Sequence, residues 1–198
     1  MKKKEIKILS WNINGVKNKL KQPEVQQLFN DYDIIILSET HFAERIKCPD
    51  NFLYIGRSKK VESKKPRGGV AVFKNKRCEI QMEVVCDSLR DTVVCKICNT
   101  DVIIAATYIP PYNSEYYTDT YISNLELIHD RFNKKHLVIV GDMNARMGTL
   151  NYGNRSFTHK RNPDSITNNN GRYILKWIEQ RRDMVILNRF IQEHKNFD

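Results

Sequence analysis

The chain has no apolar run approaching the roughly 20 residues that cross a bilayer, so a membrane-spanning role is not expected. Its start, Met1-Lys2-Lys3-Lys4-Glu5, passes straight into a short apolar stretch and lacks the core of a signal peptide. An intracellular location, nucleus or cytoplasm, is the expectation. Cysteines number five, an odd count that without a secretion signal reads as free thiols. The spacing Cys95-Lys96-Ile97-Cys98 suits a redox or zinc pair, but no second pair or His-x-His follows, and it lies in an apolar strand-like stretch. Packing is the better reading. Repeats, low-complexity tracts and linkers are absent as well, which leaves a single domain over residues 1–198. Acidic residues are in short supply, 23 against 33 basic ones, for a net charge of +10.

Much of that positive charge is concentrated. Residues 59–77 hold eight Lys or Arg and one Glu. The part from 57 to 69 has no periodicity and ends in Arg67-Gly68-Gly69, so it reads as an exposed basic loop entering a strand. A solvated charge run is the ordinary explanation. Next to groups able to handle phosphate, an electrostatic footprint for a polyanion becomes the better one. Lys60, Lys64, Lys65 and Arg67 are the candidate nucleic-acid contacts.

Four short strands each finish in a polar group. Residues 137–140 are apolar and run into Gly141-Asp142-Met143-Asn144. Residues 6–9 lead to Trp11-Asn12-Ile13-Asn14-Gly15. Residues 33–37 lead to Ser38-Glu39-Thr40-His41, and 102–107 to Tyr108-Ile109-Pro110-Pro111. On an extended backbone, residues two apart point the same way, so Asp142 and Asn144 are expected to share a target, and so are Glu39 and His41. A carboxylate there can position or deprotonate a water, and a carboxamide can donate to an anionic oxygen. Trp11, between strand-end polar residues, reads as core beneath the site. His41 is open between a role beside metal or phosphate and an ordinary loop histidine. Further strands are expected at 52–55, 70–73, 80–86, 92–97 and 184–187, with hairpin-like links between several of them. Helices are expected at 22–30, 116–132 and 171–181, the last introduced by the capping residues Thr167-Asn168-Asn169-Asn170. Strands joined partly by hairpins and partly by helices fit two packed mixed sheets with helices outside.

The order WNING, LSETH, RGGVAVF, YIPP, GDMNA, then NNNGR and VILNRF, resembles the endonuclease/exonuclease/phosphatase superfamily. The wording is most like the apurinic/apyrimidinic-type endonuclease domain of non-LTR retrotransposons. The resemblance implies an α/β fold, a four-layer α/β sandwich in which two packed mixed β-sheets are flanked by helices. It implies Mg²⁺ (or Mn²⁺) held by Glu39 with Asn12 in support, Asp142 aligning the attacking water, Asn144 contacting the phosphate, and Tyr108 placing a hydroxyl beside the scissile group. It implies nucleic acid, most naturally DNA, as partner, with no membrane; the oligomeric state stays open. Family members also end in a Ser-Asp-His motif, and nothing after Asn188 matches it. On that ground the chain is expected to be C-terminally truncated, incomplete as a domain, and weak or inactive as a nuclease.

Three readings follow. One is a working Mg²⁺-dependent DNA endonuclease that nicks its substrate. Another is an inactive remnant that still binds nucleic acid. The third is a phosphatase of the same superfamily acting on a lipid or small molecule, against which the basic loop and the retrotransposon-type motifs argue.

Overall fold

The computed structural model describes residues 5–41, 47–58, 67–148, 165–181 and 183–187. The chain forms two compact units, Met1–Pro110 with Ser114–Met143, and Pro111–Asn113 with Asn144–Asp198. The first unit holds two four-stranded sheets. One consists of β1 (Ile8–Asn12), β2 (Ile34–Ser38), β4 (Val70–Asn75) and β3 (Phe52–Arg57), in that spatial order. The other runs β5 (Met82–Cys86), β6 (Thr92–Ile97), β7 (Val102–Tyr108) and β8 (His136–Asp142). Each sheet carries one parallel pair, β1 with β2 and β7 with β8, and its other pairings are antiparallel.

The continuous apolar stretch of β2 has a direct physical cause. Successive side chains of a strand point to opposite faces. Ile35 and Leu37 join a core with Val16, Val25 and Phe29 on the helical side of the sheet. Ile34 and Ile36 join a second core with Val93, Cys95, Ile104 and Ala106 of the opposite sheet. A strand covered on both faces has no place for alternation with polar residues. β7 repeats the logic: Ile104 and Ala106 face the inter-sheet core, while Ile103 and Ala105 pack with Ile128 of helix α3 (Thr120–Phe132). Helices α1 (Val16–Lys19) and α2 (Pro23–Asn30), sheet, sheet and α3 thus form the four layers of an α/β sandwich.

Several details differ from expectation. The segment between β4 and β5 joins strands of different sheets and is no hairpin. Helix α3 begins at Thr120 rather than 116, because side chains compete for the backbone ahead of it. The Ser114 hydroxyl accepts from the Tyr116 N–H at 3.2 Å. Helix α1 is too short to leave a periodic signature. Residues 184–187 form no strand. Cys95 lies in the inter-sheet core, where burial pushes its thiol up to about 12, and all five cysteines are free. Trp11 packs edge-on against Phe29 at 6.3 Å, within the core on the helical side of its sheet. No helix among the described residues is long and apolar enough to cross a membrane.

In the second unit, helix α4 (Asn169–Glu179) starts two residues before the expected 171, with Asn168 of the capping run as its N-cap. The Asn168 side chain accepts from the Gly171 N–H at 2.9 Å and from the Arg146 N–H at 3.0 Å, and donates to the Asn144 carbonyl at 2.7 Å. A single asparagine therefore caps the helix and holds residues 144–146 against its start.

Gly141 lies close against Thr107 of the neighbouring strand β7. Its φ is +144°, and a Cβ built there would lie 1.8 Å from the Thr107 carbonyl oxygen. Replacement by Ala must push the two parallel strands apart, so Gly141→Ala is expected to cost more than about 2 kcal/mol in urea unfolding. Leu127→Ala on the exposed face of α3 (Leu127 is 60% exposed) should stay within about 0.5 kcal/mol. Equal midpoints for the Gly141 variant and the parent would contradict the close approach.

Candidate active site

The polar strand ends belong to the two parallel pairs. Asn12 stands opposite Ser38 at the end of β1 and β2, and Tyr108 opposite Asp142 at the end of β7 and β8. Parallel strands finish at the same end of a sheet, and packing the sheets face to face brings the two ends together. There the Asn12 amide nitrogen donates to Glu39 Oε1 at 2.9 Å and to Asp142 Oδ2 at 2.8 Å. The Tyr108 hydroxyl donates to the same Glu39 oxygen at 2.9 Å. Four residues from four strand ends thus form one hydrogen-bonded cluster.

Glu39 is held there by its backbone. Both Glu39 and His41 have positive φ, +51° and +50°, a conformation non-glycine residues seldom adopt. It persists because hydrogen bonds fix it from two sides. Gly15 and Val16 N–H donate to the Glu39 and Thr40 carbonyls, while Thr40 and His41 N–H donate to the Gly69 and Gly68 carbonyls. Gly69 must be glycine for this docking, since its φ is +88° and a Cβ would lie 2.5 Å from Thr40 Oγ1. The WNING and RGG motifs therefore clamp the segment that carries Glu39. His41 does reach Glu39, with Nε2 3.5 Å from Oε2, through this clamp and not through strand alternation.

Electrostatics assign protonation states. Burial raises the Tyr108 hydroxyl well above its ordinary value, helped by its hydrogen bond to Glu39 and the charges of Glu39 and Asp142. Tyr108 is accordingly a neutral donor. Burial lowers His41 below 6.5 and outweighs the pull of Glu39, with Arg67 and Lys19 lowering it further. Its contact with Glu39 is therefore that of a neutral imidazole, not an ion pair.

Among the described residues no group of three or more His, Cys, Asp or Glu side chains forms a ready-made metal cage. The chemistry of Glu39 and Asp142 nevertheless fits Mg²⁺, which binds through one or two carboxylates and keeps most of its waters. The Asn12 amide oxygen accepts from the Asn14 N–H at 3.1 Å. Asn12 is thus oriented to hold the two carboxylates, and a ligand role would require its oxygen to turn inward.

Asn144 belongs to the second unit, and with φ +46° it has left the extended backbone that strand alternation requires. Lys60, Lys64 and Lys65 lie outside the described residues. Arg67 is exposed. Lys74, although counted in the basic stretch, is buried, with its Nζ 2.5 Å from the Cys78 carbonyl oxygen, and is a structural residue.

Asp91 carries no sequence signal. This buried residue, with φ +48°, accepts from the Gly69 N–H at 2.6 Å and from the Tyr121 hydroxyl at 2.7 Å. Its own carbonyl accepts from the Tyr108 N–H at 2.9 Å. One residue thereby ties the RGG turn, helix α3 and the end of β7 together. No pattern marks it, since its hydrogen-bond partners Gly69, Tyr121 and Tyr108 are all distant in sequence. Burial raises its carboxyl above 3.8, against the lowering effects of Tyr121, Gly69 and Arg90. A carboxyl with a raised folded-state value destabilises the fold while ionised, and the cost fades as pH falls towards 3.8. Asp91→Asn, which keeps an acceptor for Gly69, should therefore melt no lower than the parent at neutral pH, and any gain should shrink on acidification. A large loss at neutral pH in thermal melts would contradict this sign.

Comparison with known proteins fits this architecture. Residues 9–174 match the Endonuclease/Exonuclease/phosphatase family, whereas no curated protein matches in sequence. The fold is similar to the endonuclease domain of TRAS1, a telomere-specific non-LTR retrotransposon, with a TM-score of 0.59 and 12% identity over 89% of this chain and 70% of that one. It is also similar to an AP endonuclease from Archaeoglobus fulgidus, with a TM-score of 0.53 and 20% identity over 89% and 71%. A 3′ phosphatase, NExo, from Neisseria bound to product DNA hairpin aligns at a TM-score of 0.49 and 20% identity, and this chain spans 60% of its length. At these identities the solved structures speak to the fold, while the family match runs from β1 into α4. The chain belongs to the endonuclease/exonuclease/phosphatase family.

Proposed function

We propose that the protein is a Mg²⁺-dependent phosphodiester hydrolase that nicks DNA, an endonuclease of the non-LTR retrotransposon type. The observation that carries this reading is the convergence of Glu39 and Asp142 on one Asn12 amide, with the neutral Tyr108 hydroxyl on Glu39. A phosphodiester is anionic and resists attack, so its hydrolysis needs a positioned water, charge neutralisation and help to the leaving oxygen. Mg²⁺ (Mn²⁺ serving equally), held by Glu39, would supply the charge neutralisation.

The remaining roles fall to the chain itself. Asp142 accepts a proton from the attacking water and aligns it. Asn12 keeps Asp142 and Glu39 at a fixed separation. Tyr108 holds the Glu39 carboxylate by donating to it, and its raised value bars it from acting as a base near neutral pH. His41, a neutral ring beside Glu39, has a nitrogen donor to offer a phosphate oxygen. Asn144 is assigned the phosphate contact by its place in the GDMNA motif, on sequence alone. DNA as substrate is supported by the net charge of +10, by Lys60, Lys64, Lys65 and Arg67, and by the retrotransposon-type wording of the motifs. Attraction through these side chains weakens as salt rises, because bound counterions are released.

A supercoiled-plasmid nicking assay with Mg²⁺ tests the reading. Asp142→Asn and Glu39→Gln should each lower turnover by about 10²–10³, with melting temperatures close to the parent's. Calorimetry should show saturable Mg²⁺ or Mn²⁺ binding that Glu39→Gln removes. Nicking that survives in both variants would overturn the assignment.

A further inference from the structure

Besides the link through Asn12, a second hydrogen-bonded path joins the two sheets at the site, and it closes into a ring. It starts at Asp91, the residue before β6, whose Oδ1 accepts from the Gly69 N–H at 2.6 Å. The carbonyls of Gly69 and Gly68 accept from the N–H groups of Thr40 and His41 at 3.1 and 3.0 Å. The same short segment carries Glu39, whose Oε1 accepts from the Tyr108 hydroxyl at 2.9 Å. Tyr108 leads back to the start, because its own N–H donates to the Asp91 carbonyl at 2.9 Å. Asp91 therefore reaches Glu39 by two arms. One runs through its side chain and the RGG turn, the other through its backbone and Tyr108.

The Asp91 carboxylate is itself held in place. Its Oδ2 accepts from the hydroxyl of buried Tyr121 at 2.7 Å, which leaves Oδ1 aimed at the turn. Gly68 leaves room for it, since a Cβ there would lie 2.8 Å from Oδ1. The carboxyl is buried, and burial works against its ionised form. Stability of the fold alone does not account for an acid at this place. An ionised acceptor does, however, bind a backbone N–H more strongly than a neutral one. That bond acts on a turn whose carbonyls fix a segment with positive φ at both Glu39 and His41. Asp91 lies in none of the strand-end motifs, and the hydrolytic roles above do not use it.

We propose that Asp91 is a positioning residue for the reaction, bracing Glu39 in the orientation that holds the metal ion, through the RGG turn on one side and Tyr108 on the other. The inference rests on the reading of Glu39 as the metal-holding carboxylate and deepens it. A metal ligand works in the geometry imposed by the groups behind it, and losing such a group commonly weakens metal binding by about 10–100-fold. Asn12 sets the separation of Glu39 and Asp142, while the ring fixes the backbone from which Glu39 extends. Tyr121 acts one step further out, by orienting the Asp91 carboxylate.

The test compares Asp91→Gly with Asp91→Asn in the full chain. Glycine and asparagine both tolerate the φ of +48° found here, but only asparagine keeps an acceptor for the Gly69 N–H. Amide hydrogen exchange is read by NMR in metal-free protein, and Mn²⁺ affinity by calorimetry. In Asp91→Gly, exchange at Gly69, Thr40 and His41 should quicken by about ten-fold or more, while Ile36, central in β2, keeps the parent's rate. Mn²⁺ binding should weaken by about ten-fold or more. Asp91→Asn should restore part of both. The parent supplies a second measurement that needs no variant to fold: the amides of Gly69, Thr40, His41 and Tyr108 should be protected alike, as parts of one ring. Parent-like exchange and Mn²⁺ affinity in Asp91→Gly, equal losses in the two variants, or ring amides of the parent differing in protection by more than about a hundred-fold would overturn the brace. A parent that binds no Mn²⁺, with the Asp91-dependent exchange intact, would overturn the metal-dependent hydrolase reading and leave the brace of Glu39 standing.

Discussion

Two carboxylates brought to one place repel each other, and something must hold them there. In this protein the Asn12 side chain does so, using both hydrogens of its amide nitrogen, one towards Glu39 and one towards Asp142. The arrangement spans the whole sandwich, because Asn12 and Glu39 come from one sheet and Asp142 from the other. Local propensity cannot bring such residues together; only the packing of the inter-sheet core places their strands. The core is in that sense the scaffold of the site, and the site is the place where its two parallel strand pairs end side by side. Active sites in sheets with parallel strands commonly gather at such carboxyl ends.

Around this cluster the backbone is unusually constrained. Asn14, Glu39, His41 and Asp91 all have positive φ without being glycine. Each lies within a segment hydrogen-bonded across to another, through the clamp at residues 39–41 or through the Asp91 side chain. Conformations of this kind persist only where the surroundings over-determine them, and they concentrate at functional sites. The raised carboxyl of Asp91 fits the same pattern. This buried carboxyl, although it burdens the fold, ties the RGG turn to helix α3.

The strands were legible because both periodic and continuous apolar stretches have direct physical causes. The stretch at 34–37 and that at 103–106 are apolar throughout, since both faces are covered. The polar groups at the ends of the two parallel strand pairs, Asn12, Glu39, Tyr108 and Asp142, were legible for the complementary reason that a buried strand must stop being apolar where it meets water. Reading failed where the cause was tertiary. Asp91 matters through partners in other segments. Lys74 looks like part of a basic loop until its neighbours show it to be buried. Strand alternation could not place Asn144 or His41, because the backbone turns left-handed at both. Residues 184–187 have strand-like composition and yet form none, which shows that apolar residues alone do not specify a ladder.

The most direct test of the central claim needs no substrate. In ¹⁵N-labelled protein without divalent metal, the two Asn12 side-chain amide protons should have separate, exchange-protected NMR signals. Glu39→Gln should shift chiefly one of them, and Asp142→Asn chiefly the other. Two rapidly exchanging Asn12 signals that neither substitution moves would show that this amide does not join the carboxylates, and the account of the site would fall with it.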